Sequence, residues 1–403
     1  MNWRNGWRSA APAFVALALC AFGFAAPGAT GARRPPVLVG FLDQERGANS
    51  FPEYGAAARA ARDYINSKLN GINGRQLKFV ECSTDGSPEA SINCANKFVQ
   101  AKVVAVLMGI DIGSDAALPI LTAARIPFVA HLAIGSAQAV SKQAFFFGSP
   151  IQAWVAAPLK VMAQRLHVKS VAFITQGNIV ARTSLVPKGL VPAAKHLNLK
   201  LTTVYFDPAN PDYTQAVTTA LAARPDALFF SGSEPDCSSL IAAIRQLRFG
   251  GPVFASGCTA FISADPQAAE GVFSNYDLWI QSASAAAPKA KVAELNAFAA
   301  QMKKAAPQYA TSGGAQRTFA ATIDTANIMR AIEGDITSAA VLKQLRATRN
   351  LPGFMGQPIN CDGKQWPGQR TACAGGILVY RVERGVLRPF SRGFVYSNDI
   401  VAS

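Results

Sequence analysis

The chain has 403 residues, half of them apolar, 16% charged, with a formal net charge of +15. That length favours two domains over one, and the apolar content suits a filled core and excludes a disordered chain. After residue 30 there is no apolar run of the roughly 18 residues needed to span a bilayer.

The first 32 residues read as an export segment. Arg4 and Arg8 precede an apolar run over 10–26, and the small residues Ala29, Thr30, Gly31 and Ala32 follow, so a signal peptide covering 1–32 is expected. Leu19 is bulky where a lipid-attachment motif has a small residue, which argues against an anchor at Cys20. Its removal takes away two arginines and no acid, so +15 becomes +13. The remaining positive residues are scattered without a run of five, which points to a basic exported protein rather than a nucleic-acid binder.

In chain order, the run 37–42 is continuously apolar, as in a parallel strand buried on both faces. A loop over 43–51 follows, then a helical pattern over 54–69, stopped by Asn70, Gly71, Asn73 and Gly74, and a strand from Leu77. Helices over 88–100 and 115–124 alternate with strands over 103–108 and 127–131 and a strand or crossing segment at 145–148. The same alternation restarts with helices at 151–166, 185–197, 213–223 and 237–247 and strands at 170–175, 199–206, 227–230 and 253–255. Three helices, 289–305, 315–333 and 336–346, precede strands over 376–382 and 393–397. The fold class is therefore α/β with two doubly wound Rossmann-like lobes. In such sheets a ligand lies beyond the carboxyl ends of the strands, which makes 43–51 a candidate cleft loop with Gln44 and Arg46 able to meet a ligand carboxylate.

Six cysteines remain after export: Cys82, Cys94, Cys237, Cys258, Cys361 and Cys373. An even number in an exported chain implies disulfides, and of fifteen pairings the spacings favour sequential pairs, the last flanking a hairpin. There is no Cys-x-x-Cys spacing to support zinc, and no metal or other cofactor is expected. Nucleophile elbow, phosphate loop, dinucleotide fingerprint and His-Glu-x-x-His motif are all missing from the sequence, and the three histidines, His131, His167 and His196, form no catalytic set. The chain reads as a binder, not an enzyme.

Five pieces, in this order, carry a family resemblance. They are VLVGFLD with GAAARAARDYIN and GING, then LKFVECSTDGSPEASINCANKFV, then VVAVLMGIDIGSDAALPIL with IPFVA, then SVAFITQ, and the helix over 317–333. Together they resemble the solute-binding proteins of bacterial ABC importers, in the branched-chain amino acid (Leu/Ile/Val-binding) type, with the type I periplasmic-binding fold. The resemblance implies a three-segment hinge between lobes 36–148 with 281–356 and 149–280 with 357–403. It implies a monomer that binds a small-molecule solute and docks on membrane permease and ATPase subunits, without nucleic acid. It places the ligand-binding residues at Phe51, Asp111, Gly113, Ser114, Ala133 and Ile134 on the first lobe and at Asn178, Ser233, Glu234 and Gly257 on the second. The chain departs from the family at Leu132–Ala133–Ile134, which lacks the hydroxyl, and in the second-lobe loops, where no Tyr stands and Glu234 is the one acid. An amino acid or a related small carboxylate or amide is the expected solute. The alternatives are a ligand-sensing receptor of the same fold and a secreted enzyme.

Overall fold

The computed structural model describes residues 34–47 and 50–401. The expected export segment 1–32, with Cys20, lies outside the described residues. The first sheet is built from β1 (Val37–Asp43), α1 (Pro52–Lys68), β2 (Leu77–Ser83), α2 (Pro88–Gln100), β3 (Val106–Met108), α3 (Leu118–Ala123), β4 (Phe128–Ala130), α4 (Ser136–Val140) and β5 (Ala144–Phe146). All five strands run parallel in the order β2-β1-β3-β4-β5. β1 is buried on both faces. Its Gly40 lets α2 approach, since an added Cβ would lie 2.8 Å from the Phe98 ring. Pro52 stands in the first turn of α1, whose small residues Ala57, Ala58, Ala60 and Ala61 are buried with Ile65. The helix stops where Asn70 and Gly71 take positive φ and the Gly71 N–H bonds the Ile65 carbonyl at 2.9 Å.

The second sheet repeats the plan with α5 (Ala153–Arg165), β6 (Ser170–Gln176), α6 (Val191–His196), β7 (Lys200–Phe206), α7 (Tyr213–Ala222), β8 (Ala227–Ser231), α8 (Glu234–Gln246), β9 (Val253–Ser256), α9 (Phe261–Ala264), α10 (Pro266–Ala269) and β10 (Phe273–Tyr276). The chain then forms α11 (Lys289–Ala305), α12 (Gly313–Arg330) and α13 (Ser338–Ala347) and a short ribbon, β11 (Leu351–Pro352) with β12 (Pro358–Ile359). These helices return to the first sheet: Phe319, Ile323 and Ala326 of α12 share a core with Val39, Phe41 and Ala57. Finally β13 (Gly376–Glu383) joins the second sheet antiparallel to β10, followed by β14 (Val386–Pro389) and β15 (Val395–Tyr396), both paired with β13. The chain thus passes three times between the domains of the two sheets. The passages are bonded together: Ser149 donates to the Gly376 carbonyl at 2.8 Å, Gln357 Nε2 to Ser149 Oγ at 3.1 Å, and the Trp279 N–H to the Met355 carbonyl at 2.8 Å.

Three local expectations are corrected, and some short elements are new. The helix expected at 185–197 begins earlier, as a wide π-helical stretch over Ala181–Leu190, and becomes α-helical at Val191. Pro187 lies inside that stretch and has no N–H for a tight turn, which favours the wider winding. Strand β10 and the turns α9 and α10 carry too many small and polar residues to show an apolar period. The expected strand over 103–108 is regular only over Val106–Met108, although the Val104 N–H already bonds the Leu38 carbonyl at 2.9 Å. Cys361 and Cys373 do not flank a hairpin: the segment between them winds in turns and lies along β5, with the Phe146 N–H on the Thr371 carbonyl and the Cys373 N–H on the Phe146 carbonyl, both at 2.9 Å. The disulfides are Cys82–Cys94, Cys237–Cys258 and Cys361–Cys373, the sequential pairs favoured by spacing.

Candidate functional site

The carboxyl ends of the parallel strands in both sheets carry loops that face one cleft. On the first lobe, Gln44 is buried after β1, and its Oε1 accepts from the Ile112 N–H at 3.1 Å. Arg46 is exposed and donates to the Ser83 carbonyl. Phe51 precedes α1 and meets Tyr54 edge-on at 6.1 Å. The Asp111 carboxylate is fully buried and accepts from Thr84 Oγ1 at 2.8 Å and Ser91 Oγ at 2.6 Å. Ser114 donates to the Asp111 carbonyl and accepts from Gln138 Nε2 at 2.7 Å. Gly113 packs on the backbone of Gly86 and Ser87, where a Cβ would come within 2.5 Å of the Ser87 carbonyl oxygen. Asp111, Gly113 and Ser114 therefore build the loop itself, their polar atoms engaged by the protein. Ala133 is buried and Ile134 half-buried beside α4.

On the second lobe Asn178 is exposed and caps the π-helical stretch by accepting the Ala181 N–H at 2.9 Å. Ser233 is the N-cap of α8, bonded reciprocally with Asp236. Glu234 reaches across to the loop after β9, where its Oε2 accepts the N–H groups of Thr259 at 2.9 Å and Ala260 at 2.8 Å. Gly257 has φ +75°, and its carbonyl accepts from the Tyr276 hydroxyl at 2.6 Å. Glu234 and Gly257 both come near Arg317 of α12, whereas Asn178 and Ser233 are engaged at the starts of their own helices.

The centre of the cleft is formed by residues that the sequence did not single out. Arg317, in the second turn of α12, places its guanidinium carbon 4.4 Å from the ring centre of Trp154 and 5.4 Å from that of Tyr276. A Cβ at Gly257 would lie 3.2 Å from Trp154 and 3.7 Å from Arg317 Nη2. Tyr54 lines the opposite side and hydrogen-bonds Arg317. The close approach depends on glycine: a Cβ at Gly313 would meet the Tyr276 ring at 2.7 Å, and one at Gly314 the Tyr54 ring at 2.6 Å. The available signal was the Gly-Gly pair at the start of a helix, where an exposed helix would disfavour it. Asp277 adjoins the cluster from the second passage between lobes, bonding His131 Nε2 at 2.8 Å and the Ser149 N–H at 2.9 Å.

Charge in this cluster is set by burial and partners. Burial opposes ionisation of Asp277, but His131, Arg317 and the Ser149 N–H hold its carboxyl below the usual range. Burial also works against the Arg317 charge, and Tyr54, Asp277 and Tyr276 outweigh it. The Glu234 carboxyl is pushed up by burial, opposed by the N–H groups of Ala260 and Thr259 and by Arg317. Asp43, at the end of β1, is raised to about 8, chiefly by burial. A separate cavity of about 180 Å³ is lined by Ala133 and Ile134 of the first lobe and by Gln152, Ser184, Lys188 and Trp366, and by none of the residues of this cluster. Among the described residues no group of three His, Cys, Asp or Glu is placed to hold a metal ion, and no helix is long and apolar enough to cross a membrane.

Two parallel α/β lobes, a threefold passage between them and a polar cluster at their facing strand ends define a two-lobed binding protein. The chain belongs to the periplasmic binding protein family, whose model matches residues 36–373. No curated protein matches it by sequence. Among solved structures it is similar to a branched chain amino acid ABC transporter from Thermus thermophilus with bound valine, at TM-score 0.75 and 15% identity over 92% of this chain and 98% of that one. It is also similar to the leucine binding protein LivK from Thermotoga maritima MSB8 (0.71, 18%, 90% and 99%). A third is the fatty acid ABC transporter substrate-binding protein from Thermomonospora curvata (0.70, 16%, 92% and 95%). At these identities the likeness establishes the type I periplasmic-binding fold. The family and these neighbours are solute-binding proteins, not enzymes.

Proposed function

We propose that the chain is the extracytoplasmic solute-binding subunit of an ABC importer, capturing a small polar solute between its lobes by hinge closure. The observation that carries this reading is the buried polar cluster assembled from both lobes, with Tyr54 and Arg317 on one side and Trp154, Glu234, Gly257 and Tyr276 on the other. Such a cluster is complete only when the lobes approach, so a ligand that fits it favours the closed state. Lobe 1 is then 36–148 with 281–356 and lobe 2 is 149–280 with 357–403. Permease and ATPase subunits are the partners of a monomer. The solved neighbours are named for branched-chain amino acids and for fatty acids, so the fold leaves the solute open.

Thermal-shift screening of the exported protein against amino acids, carboxylates, amides and sugars tests the reading. A cognate solute raises Tm by mass action, by about 2.7 kcal/mol of stability at one hundred times Kd. The same solute lowers the radius of gyration in solution scattering as the lobes close. A screen in which no small molecule moves Tm would remove the assignment.

A further inference from the structure

The charged groups of the cleft narrow the chemistry of the solute, an inference that rests on the cleft being the solute site. An amino acid needs two partners, a cation or N–H groups for its carboxylate and an ionised acid for its ammonium group. Most carboxylate oxygens around the cleft are already hydrogen-bonded; the exceptions are Asp43 Oδ2 and Asp277 Oδ1. Glu234 accepts two backbone N–H groups from Thr259 and Ala260. Asp236 accepts from the Tyr213 hydroxyl at 2.6 Å and from Gln176 Nε2 at 2.7 Å. Asp111 accepts from Thr84 and Ser91, and one oxygen of Asp277 accepts from His131 and Ser149. The other Asp277 oxygen faces Arg317 Nε at 3.9 Å, too far for a hydrogen bond.

The cation keeps a donor free, although Tyr54 engages it from one side. Arg317 Nε is buried with no hydrogen-bond partner, although a guanidinium carries five donors in a planar fork. Trp154 and Tyr276 stabilise its charge through their ring faces without using those donors. It also sits where the lobes meet, against Gly257, a position at which any side chain would crowd Trp154.

We propose that the cleft takes a small carboxylate lacking an ammonium group, with Arg317 as the residue that anchors its carboxylate. An α-amino acid is disfavoured because its ammonium group would lie near Arg317, and the two unpartnered carboxylate oxygens serve it poorly: Asp277 Oδ1 already faces Arg317, and burial keeps Asp43 protonated up to about pH 8. A neutral amide is disfavoured because it forgoes the charge-assisted bond to the guanidinium.

The test is calorimetric titration of the exported protein with matched probes: 4-methylpentanoate, leucine and 4-methylpentanamide, and 3-phenylpropanoate, phenylalanine and 3-phenylpropanamide, extended to shorter and longer carboxylates with their amino counterparts. At least one carboxylate should bind about tenfold or more tightly than its amino and amide counterparts. Arg317→Gln should weaken that carboxylate about thirtyfold, and Arg317→Lys less. Circular dichroism and Tm establish that each variant is folded, and if Arg317→Gln is not, the carboxylate-over-amino-acid preference of the unmodified protein decides alone. Tighter binding of an amino acid, binding of a sugar in place of the carboxylates, or a carboxylate affinity unmoved by Arg317→Gln would overturn the proposal while leaving a solute-binding cleft. Absence of binding by every class would overturn the cleft reading and this one together.

Discussion

Asp43 closes β1 with one carboxylate oxygen on the Ile110 N–H at 3.0 Å and the other buried without a partner. Because its folded pKa is raised to about 8, the folded state holds a proton there that the unfolded chain releases near its ordinary 3.8. Its contribution is therefore present at low pH and is lost as pH rises through that window, with a slope of at most about 1.4 kcal/mol per pH unit. Asp324, buried and raised well above the usual range by burial, adds a slope of the same sign. Urea unfolding at intervals between pH 4.5 and 8.5 should show stability falling with pH, and Asp43→Asn should flatten the fall. An unchanged slope in the variant would assign the effect elsewhere. Gly314 gives a second residue-scale prediction: Gly314→Ala forces the Tyr54 ring aside and should cost about 1–3 kcal/mol by chemical denaturation. Residues of this kind were the least legible in the sequence. Arg317 stands within a helix that the periodicity located, but nothing in its neighbours says that it faces aromatic rings rather than water. That fact arises from Trp154 and Tyr276, 163 and 41 positions away in the chain.

At the scale of elements, α8 and the loop after β9 are joined twice, by the Cys237–Cys258 disulfide and by Glu234 on the N–H groups of Thr259 and Ala260. The covalent tie closes a loop of sequence separation 21 and stabilises by about 3 kcal/mol in the chain-entropy account. It also fixes Gly257, one residue from Cys258, against Trp154. Replacing both cysteines by serine should lower stability by about that amount and raise the Kd of any cleft ligand, read by parallel denaturation and calorimetry. A stability loss with unchanged Kd would restrict the bond to a structural role. Elements with long apolar runs or clear end signals, such as β1, α1 and β6, were legible because burial on both faces and Gly or Pro punctuation leave a local mark. The π-helical stretch, β10 and the turns between Cys361 and Cys373 left none: their geometry answers to Pro187, to strand pairing with β13 and to the edge of β5.

For the whole molecule, the order of strands and helices was enough to read two lobes, because each βαβ step has one favoured hand and so one way to lay its strands side by side. The contents of the cleft were less legible, since they depend on how three passages bring α12, α5 and β10 to one place. The hydrogen bonds of Ser149, Gln357 and Gly376 tie two of these passages together. If the hinge lies there, Gln357→Ala should leave the fold intact but change the ligand-induced contraction in solution scattering. The same contraction in the variant would place the bending elsewhere.

The segment laid along β5 has a consequence for the life of the chain before it is folded. A bare outer strand presents unpaired N–H and C=O groups that recruit other chains. Thr371 and Cys373 occupy those groups on Phe146, and the Cys361–Cys373 bond holds the segment that carries them. That disulfide thus acts as protection against self-association as well as a constraint on the fold. Refolding of a Cys361→Ser/Cys373→Ser variant should scatter more light than refolding of the Cys237→Ser/Cys258→Ser variant at equal concentration, because only the first uncovers a strand edge.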